Sequence, residues 1–169
     1  MRLHRGALPD LSRKIAKALI DAGDIEVSDR REAERDIESV LTSYLNQVDQ
    51  VVAHARDLAH QRGLPQGEFG RIKHVAAEQA GVKVGDDALD YVLEQLISML
   101  MHSPNVEDVF VDDLALKRRM RPFLRAGEEV EQKLKAEVRS KLKHVEEGSR
   151  TWEIEYARMK ADIKRRKGM

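Results

Sequence analysis

Ala22-Gly23-Asp24-Ile25-Glu26-Val27-Ser28-Asp29 and, further on, Ala80-Gly81-Val82-Lys83-Val84-Gly85-Asp86 share one grammar. Each reads as the end of a helix, a glycine stop, a short extended apolar piece and an acidic helix start. Glycine takes the left-handed backbone that closes a helix. Alternating apolar residues suit a short strand. Ser and Asp accept the unpaired amides of the next helix. Val109-Phe110-Val111-Asp112 keeps the second half of the pattern and can pair with one of the other extended pieces. A chain whose interruptions are this brief is almost all helix.

The periodicity around these joints agrees. Leu8-Pro9-Asp10 opens a helix, proline being tolerated in a first turn, and Leu11, Ile15, Leu19 and Ala22 step along one face. From about 29 to 61 the positions Ala33, Ile37, Val40, Tyr44, Val48, Val51, Ala55 and Leu58 step by four or three. A helix of that length spans roughly 50 Å, and its near-heptad stripe requires a covering helix from this chain or from a second subunit. Gly63-Leu64-Pro65-Gln66-Gly67 breaks the pattern and divides the chain into an N-terminal helical lobe, 1–62, and a C-terminal helical lobe with a long helix and a basic tail, 63–169. Further helices are expected at 68–80 and 87–102. The latter carries Ala88, Leu89, Val92, Leu93, Leu96, Ile97, Leu100 and Met101 as the most apolar stripe. A short helix follows from Asp112 or Asp113 to Met120, stopped by Pro122, because an internal proline costs about 3 kcal/mol. A long helix over 122–147 then carries Leu124, Val130, Leu134, Val138, Leu142 and Val145, and Gly148 ends it. Trp152, Tyr156, Met159 and Ile163 mark a last amphipathic helix.

Composition narrows the function. Among 169 residues, 30 Lys and Arg balance 30 Asp and Glu, so no net charge draws the whole chain to nucleic acid or an anionic membrane. Charged residues make up 36% and aromatics 4%, which favours long solvated helices over one thick core. There is no Cys, which excludes disulfides, thiolate zinc sites and Cys nucleophiles. Met1-Arg2-Leu3-His4-Arg5-Gly6 leads into no apolar signal segment, and no apolar run reaches the roughly 20 residues of a membrane span. The expectation is a cytoplasmic protein of bacterial type with no membrane contact.

Chemistry-bearing motifs are few. His54, Asp57 and His60 recur at three-residue spacing on the second helix. That is no established zinc pattern, and they read as a polar edge. Gly63, Gly67 and Gly70 lack the Lys-Ser/Thr of a phosphate loop. The acidic runs at 32–38 and 128–131, and the pairs Asp86-Asp87 and Asp112-Asp113, suit helix starts. No cofactor, metal site or catalytic residue is expected, and the chain reads as a non-enzyme. Trp152, Tyr156 and Phe110 are candidate interaction residues. The basic clusters are the other functional signal. Arg2, Arg5, Arg13, Lys14 and Lys17 lie at the start. Lys117, Arg118, Arg119, Arg121 and Arg125 surround Pro122. Lys164, Arg165, Arg166 and Lys167 end the chain. If these clusters meet in space they form a phosphate-binding face; otherwise they are solvated helix ends.

Gly85-Asp86-Asp87-Ala88-Leu89-Asp90-Tyr91, the run Asn105–Asp113, the tail Trp152-Glu153-Ile154-Glu155-Tyr156 with Ile163-Lys164-Arg165-Arg166-Lys167-Gly168, the opening Met1-Arg2-Leu3 and Ile25-Glu26-Val27 together carry a resemblance. The chain resembles, over essentially its whole length, a bacterial family catalogued as domain of unknown function 507. The resemblance implies a bacterial, cytoplasmic, helical protein with no assigned activity, and it brings no catalytic residues. The sequence therefore predicts an all-α, elongated bundle of about six helices, two of them long, with a minor pairing of short strands. The expected function is an interaction scaffold that binds a protein partner or itself, with nucleic-acid association through the basic ends as the alternative.

Overall fold

The first junction closes as its residues dictate. Helix α1 (Leu8–Asp21) stops at Gly23, whose φ of 73° only glycine adopts without strain. The Gly23 N–H donates to Ile20 O and the Asp24 N–H to Leu19 O, satisfying carbonyls that a helix end would otherwise leave open. Strand β1 (Ile25–Val27) follows, then Asp29, whose carboxylate accepts from the amides of Arg31 and Glu32 and starts α2 (Arg30–Gln61). Such a cap is worth about 1 kcal/mol. The computed structural model describes residues 1, 3–142 and 150–166, without the side chains of 127–131, 135 and 150.

Beyond α2 come α3 (Phe69–Ala80), α4 (Ala88–His102), β2 (Val106–Val109), α5 (Asp113–Lys141) and α6 (Arg150–Arg166), with single 3-10 turns at Arg5–Ala7, Gln66–Glu68 and Gly85–Asp87. The fold is all-α with one minor strand pair, as the sequence predicts. Of the two copies of the junction, only the first forms a strand. β1 pairs antiparallel with β2, Ile25 opposite Val109, Glu26 opposite Asp108 and Val27 opposite Val106, with a bulge between Glu26 and Val27. The paired residues of the third extended piece thus lie slightly earlier than Val109–Val111. Val111 instead precedes the α5 cap Asp112, whose carboxylate accepts from the Ala115 amide. Val111 and Leu116 both join the core, at the two positions a hydrophobic staple uses. At the second junction Gly81 closes α3 in the same left-handed way (φ 69°). The residues after it are held by side chains: Val82 is buried, and the Tyr44 hydroxyl donates to Lys83 O at 3.1 Å.

Pro122 does not divide α5, contrary to the sequence expectation. The helix is continuous from Asp113 to Lys141. Leu116, Met120 and Leu124, spaced by four across the proline, are all fully buried. Each is worth roughly 1.5–3 kcal/mol on burial, so together they outweigh the roughly 3 kcal/mol of an internal proline. Pro122 itself is exposed, which leaves the Arg118 carbonyl that loses its donor on the watered side. The expected extension to 147, with Val145 and the stop at Gly148, lies outside the described residues.

One hydrophobic cluster joins Ile15 and Leu19 of α1, Ile37 and Leu41 of α2, Ile72 and Ala76 of α3, Leu93 and Leu96 of α4, and Leu116 and Leu124 of α5. It draws on both sides of the 62–68 connection. The α2 stripe is covered from within the chain, by α1, α3 and α4. A smaller cluster, Leu134, Val138, Leu142 and Ile163, with Trp152, Tyr156 and Met159 against it, packs α6 on the far half of α5. Two polar contacts hold α6 at its ends: Gln66 Nε2 donates to Glu153 Oε1 at 2.8 Å, and Lys164 Nζ lies 2.7 Å from His4 Nδ1.

Tyr44 is 5% exposed, and its ring centroid is 5.9 Å from that of Tyr91. Burial first, and the neighbouring Tyr91 second, push its phenol up to about 12. In the unfolded chain the group ionises near its ordinary value of about 10. The stability it confers as a neutral group is therefore complete below pH 10 and lost as pH rises through 12, on the order of 2–3 kcal/mol. Urea midpoints measured from pH 9 to 11.5 should fall in the wild type and fall less steeply in Tyr44→Phe. Parallel curves would assign the alkaline loss to other groups.

Candidate interaction surface

The end of the molecule where β1 meets β2 is organised by Asp24. It is 4% exposed, and all three of its polar parts are engaged. Its N–H closes α1, its carbonyl accepts from the Phe110 amide at 2.9 Å, and its carboxylate Oδ2 accepts from Arg119 Nε at 2.9 Å. One residue therefore fastens the end of α1, the strand pair and the first turns of α5. The adjoining loop is tied to α2 by Asp36, which accepts from the Ser103 hydroxyl at 2.5 Å and from Asn105 Nδ2 at 3.0 Å. Ser28 N–H and Oγ both donate to Asn105 O.

On this rigid base stand three large apolar side chains in water. Phe110 is 58% exposed, Leu114 56% and Met101 48%. Two of them, Met101 and Leu114, extend the seam between α4 and α5. The helices run antiparallel, with Asp90 paired to Arg121 at 2.9 Å and Glu94 to Lys117 at 3.5 Å. Met101 lies two turns beyond Glu94 on α4, and Leu114 lies one turn before Lys117 on α5 and four residues after Phe110. The solvent-facing α4–α5 seam thus changes from ion pairs to an apolar patch at the β1–β2 end. Met101, expected in the buried stripe of α4, lies in its last turn and is about half exposed.

The other predicted residues fall elsewhere. Trp152 and Tyr156 are half-buried; their rings stack at 4.7 Å between centroids with a 27° interplanar angle, within the α5–α6 cluster. Lys160 Nζ lies 6.0 Å from the Tyr156 centroid. Around Pro122, Lys117, Arg119 and Arg121 are ion-paired to Glu94, Asp24 and Asp90, whereas Arg118 and Arg125 make no ion pair among the described residues. Lys164 meets His4, so the C-terminal basic run lies beside the N-terminal one, and Arg165 pairs with Asp162 at 2.5 Å. Arg166 makes no ion pair among the described residues, and Lys167 and Arg2 lie outside them. The Pro122 cluster is anchored at Asp24, at the opposite end of the 14-residue α1 from His4, roughly 20 Å away along the helix. Arg13, Lys14 and Lys17 of the N-terminal cluster lie along α1 between these two ends. His54, Asp57 and His60 are exposed on α2, and His54 Nε2 lies 3.3 Å from Gln79 Oε1. Among the described residues no group of three or more His, Asp or Glu side chains is placed to hold a metal ion. An open groove of about 460 Å³ near the α2 tip is lined by Arg56, His60, Leu64, Phe69 and Glu153.

The sequence points to Phe110 but to neither Leu114 nor Met101, the latter sitting in an apolar stripe that reads as core. Asp24 reads in the sequence as one more acid in a junction, with no local sign of its distant partners. The available signal was position: apolar residues in the last turn of one helix and the first turn of the next lie where a bundle runs out of neighbours.

Taken together, these elements define an all-α protein clasped at one end by a two-stranded ribbon, and no helix among the described residues is long and apolar enough to cross a membrane. The chain belongs to the family described as Protein of unknown function (DUF507), whose model matches residues 1–169. Among curated proteins none matches it.

The Asp24–Arg119 pair generates an ordered expectation. Arg119→Met leaves a nearly buried carboxylate without its cation and should cost about 2 kcal/mol. Asp24→Asn keeps shape and an acceptor and should cost about 1 kcal/mol. The double variant should recover part of the Arg119→Met loss. Denaturant unfolding of the three variants reads this directly, and the reverse order would show that charge pairing is not what holds the clasp.

Proposed function

We propose that this chain is a non-catalytic, cytoplasmic interaction protein of bacterial type, docking another protein through the Met101, Phe110 and Leu114 patch. The observation that carries the reading is the exposure of these three side chains on a base fixed by Asp24, Asp36 and the strand pair. Rigid presentation lowers the entropy lost on binding, and large apolar side chains at a protein surface mark contact sites. The stripe of α2 is covered by the chain's own helices, so the patch supports docking better than that stripe does. Of the three candidate interaction aromatics, Phe110 keeps the greater part of its surface in water, while Trp152 and Tyr156 pack on α5. The non-enzymatic reading rests on a sequence that sets no nucleophile in a catalytic motif and on the open exposure of His54, Asp57 and His60 along α2.

A second reading, nucleic-acid association, is favoured by one contact: Lys164 against His4 brings the basic tail beside Arg5 and the start of α1. Phosphate binding of this kind weakens steeply with salt.

Two experiments separate the readings. In nuclease-treated lysate of the native host, wild-type protein should retain a partner that Phe110→Ser/Leu114→Ser loses at unchanged melting temperature. Equal recovery by the variant would defeat the docking assignment. For the second reading, duplex or single-stranded DNA should bind in a salt-dependent way and be released when Lys164, Arg165, Arg166 and Lys167 are replaced by Glu. Binding indifferent to that change would remove it.

A further inference from the structure

The apolar patch carries an acidic rim that tells what should cover it. Glu107, Asp108, Asp112 and Asp113 flank Phe110 and Leu114 in sequence, all four are exposed, and none makes an ion pair among the described residues. A fifth carboxylate comes from the neighbouring strand, where Glu26 stands directly opposite Asp108 in the β1–β2 register. Like charges facing each other across an antiparallel pair destabilise it, and Glu26 too is exposed and without an ion-paired cation among the described residues. Two nearby cations are paired elsewhere: Arg119 is committed to Asp24 and Arg30 to Glu34 at 3.3 Å. Arg31 on α2 and Arg118 on α5 pair with none of these carboxylates. The clasp thus holds an uncompensated carboxylate pair beside three apolar side chains in water.

Resting on the docking reading above, we propose that the partner presents a basic amphipathic helix. Its apolar residues would cover Met101, Phe110 and Leu114, and its flanking Lys or Arg side chains would neutralise Glu26, Glu107, Asp108 and Asp113. A helix suits the site better than an added strand, because Asp108 Oδ1 already accepts the Val109 N–H at 2.9 Å and acids line the strand. Helix-in-groove recognition reads apolar anchors at three- and four-residue spacing, and charge complementarity around them sets orientation and encounter rate.

The test uses the intact protein and two labelled amphipathic peptides with one Leu stripe, flanked in one by Lys and in the other by Glu. Fluorescence anisotropy should show the Lys peptide binding at least about tenfold more tightly, with affinity falling as salt rises. Phe110→Ser/Leu114→Ser should weaken the Lys peptide by about tenfold or more. Glu26→Lys/Glu107→Lys should weaken it similarly while raising the melting temperature, because Asp108 would then face a cation across the strand pair in place of a like charge. That opposite movement of stability and affinity separates loss of the site from loss of the fold. If the apolar variant releases the peptide but charge reversal does not, docking stands and the basic partner is refuted. If the two peptides bind alike, or neither variant alters binding, the inference is overturned.

Discussion

Asp24 concentrates in one residue the connections that hold the two ends of the chain's topology together. Its N–H finishes α1, its carbonyl joins β1 to the residue after β2, and its carboxylate reaches Arg119 on α5, 95 positions away in sequence. A nearly buried carboxylate is tolerable only when paired and hydrogen-bonded. The site is therefore an all-or-none arrangement: α5 must begin where it does, and β2 must register with β1, for the charge to be answered. The rigidity of the clasp, and with it the fixed presentation of Phe110 and Leu114, follows from that requirement.

The rest of the bundle is decided by burial outweighing local preference. Pro122 argues for a break, but Leu116, Met120 and Leu124 lie on one face only if the helix runs through it, and their burial exceeds the local penalty. The same balance sustains α2 along its whole length to Gln61, because α1, α3 and α4 all pack on it. Elsewhere apolar residues remain in water, as at Met101 on α4. The α5–α6 pairing is a separate, smaller cluster, closed at its ends by Gln66–Glu153 and Lys164–His4.

Much of the fold was legible from glycine stops, caps and apolar spacing, since these signals act within a turn or two of the backbone. Helices α1 to α4 begin and end within a residue or so of where their caps and glycines place them. The surface was less legible. Phe110 is an aromatic outside any helical stripe, but Met101 and Leu114 are indistinguishable in sequence from buried neighbours, because exposure depends on what another element covers. The basic run at 117–121 read as a charged cluster, whereas its partners, Glu94, Asp90 and Asp24, lie on other elements and carry no local signature.

By itself, the sequence determined that the chain is helical, where its helices are interrupted, that thiol chemistry is excluded and that charge is balanced overall. These are properties of composition and of contacts along a single helix, with range no longer than a hydrogen-bonded turn. Only the tertiary structure decided which extended pieces pair, that α5 passes through its proline, which cations are neutralised and which apolar residues are left in water. Each of those depends on a partner distant in the chain. Its position is set by how whole faces are buried together, an energy that no local window of residues contains.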